Sequence, residues 1–208
     1  EHTISLQAID KLGRKSQRIF YDILIRSYYI SPEDTYIATL NDIANYNITL
    51  GLTYDTATEK AMKNNRLGLN NLVHDKEAEG YKKLVLPQGG VYRIMMTDRD
   101  SFIEDNPYLD MPSNFTLDLN DSIIKLHPLL DKDGDTVNIT ARFNHCFDSH
   151  IINGTLEGDW DERQNFSSEF MEFEGEGTQN VSFHGNSKYC TLRNVTIKHV
   201  TGYNVFSG

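Results

Sequence analysis

The apolar positions change their period along the chain. In residues 1–50 they recur at helical spacing. Ile19, Phe20, Ile23, Leu24 and Tyr28 fall on one face of a 3.6-residue period, which predicts a helix. A second helix carries a start signal, with Ser31 as cap, Pro32 at the first helical position, and Glu33 and Asp34 against the positive end of the dipole. Tyr36, Ile37, Leu40 and Ile43 would form its apolar face. The stretch GLTYDTATEKAMKNN then predicts a third helix. Thr53 or Asp55 is its candidate cap, and Ala57, Ala61, Leu67 and Leu72 its small apolar face.

From Lys82 the period falls to two, and Gly, Asn and Asp break the chain into short β-runs. KKLVLPQGGVYRI reads as two strands around a Pro-Gln-Gly-Gly turn. FTLDLN puts Phe115, Leu117 and Leu119 on one face and Thr116, Asp118 and Asn120 on the other. SIIKL, SHIINGTLEG, QNVSFHG, CTLRNVTIKHV and GYNVFSG follow as further strands. IINGTLEG and LRNVTIKH are versions of one another, Ile152 matching Leu192 and Leu156 matching Ile197. Their offset of about 40 residues suggests two turns of a stacked parallel solenoid, with QNVSF between them, because no single turn buries its own apolar face. The last residues, YNVFSG, read as the start of one more strand, so the expectation is the N-terminal portion of a longer protein.

Charge narrows the partners. The chain carries 30 acidic and 20 basic residues, a formal net charge of −10. That balance disfavours nucleic acid and anionic membranes, and the basic run KLGRKSQR is read as a solvated surface segment. No apolar run approaches the roughly 20 residues of a spanning helix. Two cysteines, Cys146 and Cys190, fit neither a disulfide framework nor zinc, and are expected to be free thiols. The sequons at Asn47, Asn114, Asn138, Asn153, Asn165, Asn180 and Asn194 are read as turn and strand-start residues, since no basic n-region and apolar h-region opens the sequence.

The order of motifs carries a resemblance. DTATEKAM at 55–62, LVLPQGGVYRI at 84–94, MPSNFTLDLN at 111–120 and DSHIINGTLEG at 148–158 follow one another as D-x-T-x-A helix, L-P-x-G-x-Y strand, P-S strand and N-G turn do elsewhere. From Thr53 to Gly208 the chain resembles phage tail-spike and pre-neck appendage proteins with a pectate-lyase-like domain. One extra glycine in Leu86–Tyr92 departs from the pattern. The resemblance implies an all-β-dominated fold, a right-handed parallel β-helix with an N-terminal capping helix, spanning residues 53–208. Residues 1–52 would then be a small helical attachment or oligomerisation segment. It further implies a homotrimer on the virion, assembled in the host cytoplasm. Its partners would be tail or neck proteins and a bacterial cell-surface glycan or teichoic acid, without cofactor or metal. Two other readings stay open: a polysaccharide hydrolase or lyase of the same fold, and a structural tail or baseplate connector.

Glycan cleavage needs paired carboxylates. The densest candidates lie in GDWDER, where Asp159, Asp161 and Glu162 flank Trp160, the only tryptophan. Asp159, Asp161 and Glu162 are the candidate catalytic residues, and Trp160, Glu172 and Glu174 the candidate substrate-binding residues, a Trp ring stacking well on a sugar face. The plainer reading is a polar loop and an exposed acidic strand. LDKDGDT imitates half of a calcium loop, but its twelfth position is Arg142, so a turn is expected. In FNHCFDSH, Phe143, Cys146 and Ile151 read as inward positions, which favours an inert thiol over a nucleophile.

Overall fold

The computed structural model describes residues 2–6, 19–23, 30–53, 58–95, 109–127, 139–158, 179–199 and 205–207. The chain divides into two units, Glu1–Ile30 and Ser31–Gly208. In the first, β1 (His2–Leu6) pairs antiparallel with β2 (Ile19–Ile23). Helical spacing predicted a helix here, and Ile19–Ile23 is a strand instead. Its sequence, IFYDI, is β-branched and aromatic, and five residues are too few for spacing to outweigh that preference.

In the second unit the start signal at Ser31 holds, but for one turn only. Ser31 caps a 3-10 turn, Pro32–Asp34, and the chain passes at once into β3 (Thr35–Ile37). The helix begins later, as α1 (Leu40–Asn45), where Thr39 and Asp42 form a reciprocal capping box. Ile43 is buried, while Ile37 and Leu40 are exposed, so they do not form the single apolar face expected of them. β3 pairs with a strand of the main sheet, and Ile43 and Ile48 join the core, so residues 31–52 belong to the same unit as the sheet.

α2 (Glu59–Ala78) has Thr58 rather than Thr53 at its N-cap position, with the Thr58 hydroxyl donating to the Thr53 carbonyl, and Asp55 and Ala57 lie outside the described residues. Its buried face is Met62, Leu69, Leu72 and Val73, with Leu67 half-buried. It lies against β4 (Lys83–Val85), β5 (Val91–Met95) and β6 (Leu109–Asp110). Two buried asparagines fix it there. Asn65 donates to the carbonyls of Thr49 and Arg93 and accepts from the Thr49 amide. Asn70 accepts from the Asp110 amide.

Beyond α2 the protein is strand-rich, and its strands form a curled parallel sheet system. After β4–β6 come β7 (Thr116–Asp118), β8 (Ile123–His127) and β9 (Ile139–Asn144). Then follow β10 (His150–Glu157), β11 (Gln179–His184), β12 (Thr191–Lys198) and β13 (Val205–Ser207). The larger sheet runs β3-β4-β7-β10-β8-β5, with β12 also on β10; the smaller runs β13-β11-β9-β6. Every pairing in both is parallel. Four tiers result: β4-β5-β6, β7-β8-β9, β10-β11 and β12-β13. β10 spans two strands of the tier before it, its first half on β7 and its second on β8.

The repeat read from the sequence is real, but its register and step differ. Ile151, not Ile152, lies opposite Leu192, and Leu156 lies opposite Ile197 as expected. β10 and β12 are direct neighbours, one tier apart rather than two, because QNVSF forms β11 in the smaller sheet. The core runs through the tiers by column. Leu84, Leu117 and Ile151 stack in register and are fully buried. Phe143 lies flat on Phe183, ring centroids 4.7 Å apart. Cys146 is buried as expected, and both cysteines are free.

Candidate functional site

The bend between the two halves of the larger sheet changes length from tier to tier. Residues 86–90 form it in the first tier and 119–122 in the second. In β10 only Asn153 and Gly154 remain between the segments matched to β7 and β8. Left-handed backbone makes this compression feasible, with φ of 57° at Asn153 and 53° at Asn194. Asparagine tolerates that region better than most residues. Gly154 is required by space. A Cβ there would run into Leu119 Cβ and sit 2.7 Å from the Ser122 carbonyl oxygen.

An open cleft of about 540 Å³ is lined by residues of the bends in the second, third and fourth tiers. Asn120 and Asp121 come from the second-tier bend, Asp118 from β7, Asn153, Gly154 and Thr155 from β10, and Asn194 and Thr196 from β12. The lining is almost wholly polar. Asn194 Nδ2 donates to Asn153 Oδ1 (3.2 Å), and Asn153 Nδ2 donates to Asp118 Oδ1 (3.1 Å). Asp118 also accepts from the Asn120 amide and pairs with Lys83 Nζ at 2.7 Å. Its carboxylate is thus fixed by three donors. Thr155 and Thr196 lie in register and add hydroxyl groups to the wall. Amides and hydroxyls of this kind both donate and accept, which is the pattern a polyhydroxylated ligand satisfies.

A second polar array crosses the far half of the sheet. Register places Arg93, Lys125, Glu157 and Lys198 side by side on β5, β8, β10 and β12. Glu157 receives Lys125 Nζ at 2.6 Å and Lys198 Nζ at 3.1 Å. Burial alone would raise the Glu157 carboxyl, but these two lysines outweigh it and hold the group at about 2. Arg93 Nη1 donates to Nε2 of the fully buried His127 at 2.9 Å. Burial first, and then the charges of Arg93 and Lys125, push this imidazole down to about 3, so it is neutral at physiological pH.

Asp159, Trp160, Asp161, Glu162, Glu172 and Glu174 lie outside the described residues, as does the LDKDGDT loop. The described chain reaches Gly158, whose amide donates to the Lys198 carbonyl. In FNHCFDSH, burial raises the Cys146 thiol to about 11, which makes it a poor nucleophile. The cleft residues were visible in the sequence only as polar positions of a strand pattern and as sequons. Asn47, Asn114, Asn153 and Asn194 all hold positive φ, and Asn180 is buried, donating to the carbonyls of Leu156 and Lys198. Among protein-family models, curated proteins and solved structures, no match to this chain was found.

Proposed function

We propose that this chain is a bacteriophage tail-spike or appendage protein whose tiers are coils of a right-handed parallel β-helix, and that it attaches the virion to a host cell-surface glycan. The observation that carries this reading is the continuous parallel register through four tiers, with bends that stack on one another. A stack of this kind gives an elongated, rigid arm, and its bends offer a wall on which a polymer can lie. The cleft beside Asn153 and Asn194 supplies alternating amide, hydroxyl and carboxylate groups that fit sugar hydroxyls. Attachment is favoured over cleavage at this cleft because amides and hydroxyls outnumber carboxylates in its lining, and Asp118 already accepts from three donors within the protein.

Sedimentation equilibrium and binding to cell-wall polysaccharide from a Gram-positive bacterium test the reading together. The expected result is a trimer that binds the polymer, with affinity reduced when Asn194 and Thr196 are replaced by alanine. A stable monomer without affinity for the polymer would overturn it.

A further inference from the structure

We infer that Phe147 and Tyr189 form a stacking site for a sugar ring at the bend that leads into β10 and β12. The inference rests on the glycan-attachment reading and names a second contact for the same polymer. Register aligns Thr116, His150 and Thr191, and two residues before each stand Asn114, Asp148 and Tyr189. All three hold left-handed backbone, with φ of 56°, 55° and 59°. Asparagine and aspartate are ordinary occupants of that region, but a bulky aromatic is an outlier there, at a cost of about 1–2 kcal/mol. Burial does not offset the cost, because Tyr189 is 55 % exposed. Strain kept at an exposed residue points to a role in binding.

Its neighbour supports that role. Phe147 is 40 % exposed and meets the Tyr189 ring edge-to-face, centroids 5.1 Å apart and planes at 85°. Two exposed rings set at right angles make a corner that the C–H face of a pyranose can enter. Asp148, one residue from Phe147, holds its carboxylate 3.5 Å from His150 Nε2 and can accept from a sugar hydroxyl at the rim. Asn153 lies six residues beyond Phe147, at most roughly 20 Å at the rise of a strand. A glycan lying along β10 would reach both contacts.

Tyr189→Asn is the discriminating variant, since it restores an ordinary left-handed residue. The full chain and its Tyr189→Asn and Phe147→Ala variants are titrated calorimetrically with the same cell-wall polysaccharide, and their melting temperatures and masses are measured. The expected result is about tenfold weaker binding in each variant, with Tyr189→Asn melting no lower than the parent. Unchanged affinity in both variants, while alanine at Asn194 still weakens binding, overturns the stacking site and leaves the attachment reading standing. Tyr189→Asn dissociating an oligomer without changing affinity per chain also overturns it, making the corner an interface between copies. A parent chain that binds no polysaccharide overturns both.

Discussion

Asn153 turns the chain with its backbone and ties two tiers with its side chain. Alanine at this position keeps neither the tolerance for φ of 57° nor the bond to Asp118. Asn153→Ala should therefore destabilise the fold by about 1–3 kcal/mol, read from urea unfolding. The buried charges make a different prediction. His127 and Glu157 both have folded values below their unfolded ones, so the unfolded chain takes up each proton first. Their stabilisation is complete above about pH 6.5 and is lost as pH falls. Between about pH 6.5 and 4.5 the loss comes from His127, with a limiting slope of roughly 1.4 kcal/mol per pH unit; below about 4.5 Glu157 adds to it. Unfolding curves at stepped pH should show this slope, and His127→Asn should flatten its upper part. None of this was legible in the sequence, where Glu157 lies 32 residues from Lys125 and only register brings them together.

At the scale of elements, strands from Lys82 onward were legible because their alternation is clean. Phe115, Leu117 and Leu119 are all fully buried, as their spacing required. The matched segments IINGTLEG and LRNVTIKH were legible too, and Leu156 opposite Ile197 was read correctly, but Ile151 rather than Ile152 takes Leu192. Against the tier before it, close approach fixes β10: Gly154 faces Leu119, and no other β10 residue lacks a Cβ. Gly154→Ala should cost about 1–3 kcal/mol through overpacking, and hydrogen exchange should localise the opening to β7, β8 and β10. The third expected helix is present as α2 with Leu72 buried, but its buried face was read only in part. α2 buries Asn65, Arg66 and Asn70 along with its apolar residues, so hydrophobic spacing alone placed its face poorly. In the first unit, a five-residue apolar cluster matched both periods, and pairing with His2–Leu6 decided for strand.

For the whole molecule, parallel stacking makes stability a matter of neighbours. Along the sheet, each tier of the second unit stacks its apolar column on the tiers before and after it, and α2 adds its buried face to the same core. Leu117, held between Leu84 and Ile151, is the middle of such a column. Leu117→Ala should cost about 2–5 kcal/mol and lower the melting temperature of the second unit, measured by calorimetry. The candidate carboxylates of GDWDER and FEGEGTQN lie outside the described residues. Strand alternation located the scaffold, whereas a catalytic carboxylate pair is defined by a distance in space that spacing along the chain does not give.

The bends carry one more consequence. Four residues separate Asp118 from Ile123 and two separate Ile152 from Thr155, yet the strands on either side keep their partners. Length at the bend is thus decoupled from alignment in the core. Residues can be added or removed there while the flanking strands keep their partners, so the outer wall of these tiers can be remodelled one tier at a time while the skeleton stays the same.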